Sequence, residues 1–197
     1  MISTHRILAF TIPIKLAVLL AFTWYATRPP ALSDAALVDH IVVIKSTHMM
    51  TLYAHGKPVQ SYKVALGRSD GRKLQQGDHR TPEGHYLVDS HNPHSAFHLS
   101  LHVSYPNPDD RARALAAHAS AGGEIMIHGL APRYAFLGSL QSQTDWTDGC
   151  IAVSNAEIEE VYRLVLNNLP SISSPNAVRT SAWLQMSVFV LRYSLGG

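Results

Sequence analysis

The chain has 197 residues, 46% of them hydrophobic, and a formal net charge of +2 from 16 basic and 14 acidic side chains. That length provides one well-buried core and leaves too little for two ordinary domains beside a targeting segment. The charges are scattered, the aromatic residues do not cluster and no repeat is evident, which argues against a nucleic-acid partner, a polybasic membrane patch or a solenoid. Residues 7–26 are apolar apart from Lys15, with His5 and Arg6 ahead and Arg28-Pro29-Pro30 behind, so residues 1–30 are expected to be an export signal or membrane anchor. If Lys15 closes the basic region, residues 16–26 have the length of a signal-peptide core; if it is tolerated, about 20 residues can span a bilayer. Trp24 and Tyr25 crowd the place where a small-residue cleavage site would fall, which favours the anchor.

From Val38 the pattern reads as short strands: 41–45, 51–54, a His55-Gly56-Lys57-Pro58 turn, then 60–66. Residues 67–81 form a polar, glycine-punctuated loop expected to border a site. Pro82-Glu83-Gly84 then turns into a strand at 86–88. Phe97, Leu99, Leu101 and Val103 alternate with polar residues, as in a half-buried strand bounded by Pro93 and Pro106. Residues 109–121 are rich in Ala, Arg and Leu and stop at Gly122-Gly123, which predicts a helix. Another short strand, 125–127, ends at His128-Gly129, and a polar loop containing Gly138 leads to Thr147-Asp148-Gly149-Cys150. After a strand at 151–153, Ser154 and Glu157 form a capping box for a helix that puts Ile158, Val161, Tyr162 and Val165 on one face. Beyond Asn168 the pattern dissolves, and the apolar stretch 183–195 shows no clear element boundaries.

A single cysteine in an exported chain forms no internal disulfide, so Cys150 is inert and buried, paired between molecules, or kept for reactivity. If reactive, it needs a base or a positive charge, because the thiolate is the nucleophile. Among 12 histidines, His128 is the best candidate, since it too sits at a strand end beside glycine, where backbone amides can approach a reacting carbonyl. His94, His98 and His102 would align on a helix as metal ligands, but on a strand His98 and His102 share a face while His94 precedes it near Pro93, so no metal site is expected.

Several ordered blocks carry a resemblance. Residues 77–84 (GDHRTPEG), 97–101 (FHLSL), 104–107 (SYPN), 125–129 (IMIHG) and 148–155 (DGCIAVSN) resemble the YkuD-type L,D-transpeptidase catalytic domain, in particular its ErfK- and YafK-like subgroup. The resemblance implies a mainly β fold, sandwich- or barrel-like, with two flanking helices, over residues 38–168, and does not extend to the divergent tail at 169–197. It implies that Cys150 attacks a peptidoglycan stem peptide with His128 as base and forms a thioester, which an amine of another stem peptide or of an envelope lipoprotein then resolves. By the same resemblance Gly149, Gly129, Asp148 and Thr147 would supply oxyanion or orienting groups, and Arg80, Glu83 and Tyr105 would contact substrate. No metal or cofactor is implied, and the expected location is the cell envelope or periplasm. The chain departs from the family pattern at two places: Asp148 stands where a histidine is usual before Gly-Cys, and Ala152 where an arginine commonly follows the cysteine. These changes keep open a YafK-like hydrolase, or a non-catalytic peptidoglycan-binding protein.

Overall fold

Alternation drives the first strands of the computed structural model, which describes residues 38–166 and 187–191. In β1 (His40–Ile44) Ile41 and Val43 are fully buried, and in β2 (Met49–Ala54) Met50 and Leu52 are. The two pair antiparallel in a register that puts both apolar sets on one face. His55 and Gly56 both adopt positive φ (52° and 72°), the geometry of a tight two-residue hairpin, so β3 (Lys57–Lys63) begins within the expected turn. Pro58 is tolerated there because β3 stands at the end of the strand order.

Eight strands run in the order β3-β2-β1-β8-β4-β5-β6-β7. The remaining ones are β4 (Gly84–Ser95), β5 (His98–Val103), β6 (Ile125–His128), β7 (Ile151–Ala152) and β8 (Ser187–Leu191). Twelve-residue β4 is much longer than expected and carries two register shifts, at 88–90 and 92–95, so Pro93 lies within it at a bulge. Its first half pairs with β8 and its second half with β5, bending one sheet into the next. Beyond β3, Ala65 and Ala152 exchange backbone hydrogen bonds of 3.0 and 2.9 Å, and Gly67 bridges Thr147. These links tie the β3 end of the order to β7, giving the barrel-like closure expected.

Strand β8 falls in the stretch that showed no element boundaries in sequence. It is inserted between β1 (parallel) and β4 (antiparallel), with Val188 and Val190 buried. The sheet therefore extends past residue 168, and part of the tail is core. Among the described residues, two α-helices flank the sheet. α1 (Pro108–Ala116) has Asn107 and Asp110 as a reciprocal capping box and ends five residues before the expected stop. His118, at positive φ, closes a Schellman motif in which the Ala119 amide donates to the Ala114 carbonyl; Gly122 and Gly123 lie beyond it. α2 (Asn155–Leu166) begins with the expected Ser154–Glu157 box and packs on β5. Its buried Ile158, Val161, Leu164 and Val165 contribute roughly 1.5–3 kcal/mol each. Tyr162, expected on that face, is half-buried. The 129–147 connection holds 3₁₀ turns over Pro132–Gln143, broken at Gly138.

Among the described residues, no helix is long and apolar enough to cross a membrane. The apolar segment 7–26 lies outside them.

Candidate active site

Strands β6 and β7 are parallel neighbours, with Ile127 opposite Ile151 and His128 opposite Ala152. That pairing brings His128, at the end of one strand, and Cys150, just before the other, to one cleft of about 410 Å³. Thr147, Asp148, Ser100, Met126, Phe97 and Trp146 also line it.

His128 is buried, and its Nδ1 donates to the Gly129 carbonyl at 2.7 Å, which makes Nε2 the acceptor nitrogen. Its ring lies against two aromatics, with centroids 4.5 Å from Phe97 and 5.8 Å from Trp146. Burial pushes its pKa below the ordinary histidine value, and the Gly129 carbonyl offsets this only in part, so the imidazole is neutral at pH 7. Gly129 is held from behind by α2. A Cβ there would stand 2.7 Å from Asn155 Oδ1 and 2.8 Å from Ile158, while Asn155 Oδ1 accepts the Leu130 amide. The helix end thus fixes the carbonyl that fixes the histidine.

Cys150 is half-buried, and its Sγ donates to the Glu124 carbonyl at 3.6 Å. Burial raises its pKa. The Met126 amide and Lys73 favour the thiolate, while Asp148 and Glu124 oppose it. Both shifts favour a thiol and a neutral imidazole over a preformed ion pair. The turn before Cys150 is built by buried Thr147, whose Oγ1 donates to the Cys150 carbonyl (2.8 Å) and accepts the Gly149 amide (3.1 Å). The Gly149 amide, expected to serve an oxyanion, is thus engaged within the turn. Gly149 itself has φ 125°, and a Cβ would meet the Arg80 carbonyl at 2.6 Å.

Asp148 points to the rim, ion-paired with Arg68 at 2.8 Å, and His79 Nδ1 lies at the same distance from its carboxylate. Of the candidate substrate contacts, Arg80 approaches the site through its backbone against Gly149. Glu83 and Tyr105 line neither cleft at Cys150. Glu83 accepts from Lys45 Nζ at 2.9 Å, and buried Tyr105 donates to the Ala121 carbonyl at 3.0 Å. His98 pairs with Glu159 and His102 with Asp89; among the described residues no cluster of three or more His, Cys, Asp or Glu could hold a metal.

Sequence reasoning missed Phe97, Trp146, Glu124 and Lys73. Phe97 was read as a core strand position, but it lies in the β4–β5 turn ahead of His98 at φ 74°, and this turns its ring onto His128. Lys73, Gln76, Gly77 and His79 of the polar loop line a second cleft of about 380 Å³ that also reaches Cys150 and Asp148, so the loop does border the site.

Residues 38–179 match the L,D-transpeptidase catalytic domain, YkuD. "Putative L,D-transpeptidase YafK" of Escherichia coli is 29% identical over 137 residues, covering 66% of this chain and 48% of that protein, so the chain spans about half the length of the curated relatives it matches. In fold it is similar to the helical cell shape determining protein Pgp2 of Campylobacter jejuni (TM-score 0.55, 22% identity, covering 80% of this chain and 48% of that one). It is also similar to Bd1075 of Bdellovibrio bacteriovorus (TM-score 0.50, 17% identity, covering 83% and 51%). With the match spanning most of the chain and the cysteine and histidine blocks meeting at one cleft, this protein belongs to the YkuD L,D-transpeptidase catalytic domain family.

Proposed function

We propose that the chain is a cell-envelope, peptidoglycan-modifying cysteine acyltransferase, exported or anchored through residues 1–30. Cys150 attacks the carbonyl of the diaminoacyl residue in a stem peptide while His128 Nε2 takes the thiol proton. The C–S bond forms, the C–N bond to the terminal D-amino acid breaks, and His128 returns the proton to the departing amine. An acceptor amine, from a second stem peptide or an envelope lipoprotein, then attacks the thioester, forms a new C–N bond and restores the thiol. Water in place of the amine gives hydrolysis, the YafK-like alternative.

The observation that carries this reading is the shared cleft, with His128 Nδ1 committed to Gly129 and the ring neutral, as a general base requires. Sγ rests on the Glu124 carbonyl and turns from it toward the imidazole as the proton is given up. Two clefts meeting at Cys150 suit a reaction in which donor and acceptor approach one sulfur in turn. A purely binding role leaves unexplained why a neutral base is held by an aromatic clamp in one cleft with a thiol.

The test is turnover of a disaccharide-tetrapeptide by Cys150→Ala and His128→Ala beside the wild type, with thermal melts of all three. Cys150→Ala is expected to melt normally without turnover, and His128→Ala to lose roughly 10²–10⁴-fold. Wild-type rates in either folded variant would remove that residue from the mechanism.

A further inference from the structure

A donor peptide that ends in a D-amino acid carries a free carboxylate one residue beyond the scissile carbonyl, and an enzyme that reads such an end needs a cation there. The arginine common two residues after the family cysteine is Ala152 in this chain. That position is fully buried, with its backbone paired to Ala65. Among the residues lining the two clefts that meet at Cys150, Lys73 is the one lysine or arginine. Its side chain is 3% exposed, with Nζ held by the Gln75 carbonyl at 3.1 Å and Asp78 Oδ1 at 2.9 Å. These bonds account for two of its three N–H groups, and the Tyr105 ring centroid lies 5.9 Å from Nζ. Asp78 is anchored in turn by the Leu74, Gln75 and Arg80 amides, so the ammonium sits on a rigid loop. The remainder of that cleft is Gln76, Gly77, His79, Gly122, Gly123, Ile125 and the acidic Glu124 and Asp148, the latter ion-paired with Arg68, and it lacks the aromatic rings of the side at Phe97 and Trp146.

We propose that Lys73 is the anchor for the donor's terminal carboxylate, so that the leaving D-amino acid lies in the cleft between the 73–79 loop and Gly122-Gly123. This rests on the acyl-transfer reading above and assigns a direction to it: leaving group on the Lys73 side, acceptor entering past Phe97 and Trp146. Desolvation makes a single ammonium–carboxylate contact in such a cleft strongly selective. Lys73 also favours the Cys150 thiolate, but less than the Met126 amide does, so thiol activation is a separable role.

The experiment measures kcat/KM of the 197-residue chain for two tetrapeptide donors that differ only in a terminal carboxylate or carboxamide, in wild type, Lys73→Met and Lys73→Arg. In parallel, the pH profile of Cys150 alkylation by iodoacetamide is recorded for each protein. Wild type is expected to prefer the carboxylate by roughly 10- to 100-fold, Lys73→Met to lose the preference, and Lys73→Arg to keep part of it. Equal rates for the two donors in wild type would overturn the anchor without any variant having to fold. So would a preference that survives in Lys73→Met while the alkylation profile moves to higher pH, since Lys73 would then act through the thiol. Failure of wild type to be acylated by either donor, with Cys150 still alkylated, would instead sink the acyl-transfer reading on which the anchor rests.

Discussion

Thr147→Val removes one oxygen at nearly constant volume, and that oxygen serves both sides of the Gly149-Cys150 turn. The Gly149 amide loses its acceptor at 3.1 Å and the Cys150 carbonyl loses its donor at 2.8 Å, while residue 147 stays 4% exposed, so water replaces neither bond. A buried polar group left unpaired costs about 1–3 kcal/mol. Two such groups, softened by relaxation of the turn, amount to about 3 kcal/mol, which in a domain of this size lowers Tm by roughly 6–12 °C. Catalysis should fall further than stability, because misplacing Sγ by about 1 Å is worth about 10²-fold. Thr147→Ser keeps the oxygen, loses about one methyl group of burial, and should cost about 1 kcal/mol with near-normal turnover. The assay is a thermal melt with turnover for wild type and both variants. A Thr147→Val protein with wild-type Tm and rate would refute the view that this hydroxyl holds the turn.

Both site pKa shifts set a pH profile. Because burial holds His128 below its ordinary value of 6.5, the acid limb of kcat/KM should fall below that pH; because burial raises Cys150, iodoacetamide alkylation should titrate above 9.0. A limb above 6.5, or thiolate present at neutral pH, would contradict the neutral pair. Asp78 is raised by burial, but its bonds to Lys73 and three backbone amides outweigh this and bring it to about 2 from 3.8. Its folded-state pKa is depressed, so its contribution, on the order of 1–2 kcal/mol, is present above pH 3.8 and lost as pH falls toward 2. Asp78→Asn should flatten acid denaturation in that window, and an unchanged acid limb would remove the contribution. Val188→Ala in β8 should cost about 1.5–3 kcal/mol in denaturant unfolding, since the side chain is fully buried between β1 and β4 neighbours; a neutral result would put β8 outside the core.

The parts of the fold with strong local signals were legible. Ile41 and Val43, or Ser154 with Glu157, announce a strand and a helix start from spacing alone, and the blocks around His128 and Cys150 announce the family. The failures have physical causes. The helix expected at 109–121 stops early because His118 adopts the left-handed conformation usually left to glycine, so the glycines at 122 and 123 misled. β4 runs on through Pro93 because a bulge removes the need for its amide. β8 carries apolar residues without turn signals at its ends, and its partners are more than 90 residues away in sequence, so no local pattern reveals it. In the site, Cys150 and His128 were readable, whereas Lys73 and Trp146 were not. Their place at the clefts arises from closure of the sheet, which brings 73–79 and 146–150 together, and no spacing rule encodes that.

The claim that Cys150 carries the acyl group is tested most directly by intact-mass spectrometry of the 197-residue chain incubated with disaccharide-tetrapeptide, beside the Cys150→Ala variant. The expected result is an adduct equal to the donor minus its terminal residue, located on Cys150, absent from the variant and discharged by an added amine. Product formed by the variant, or a wild-type protein that gives neither adduct nor product, would contradict it.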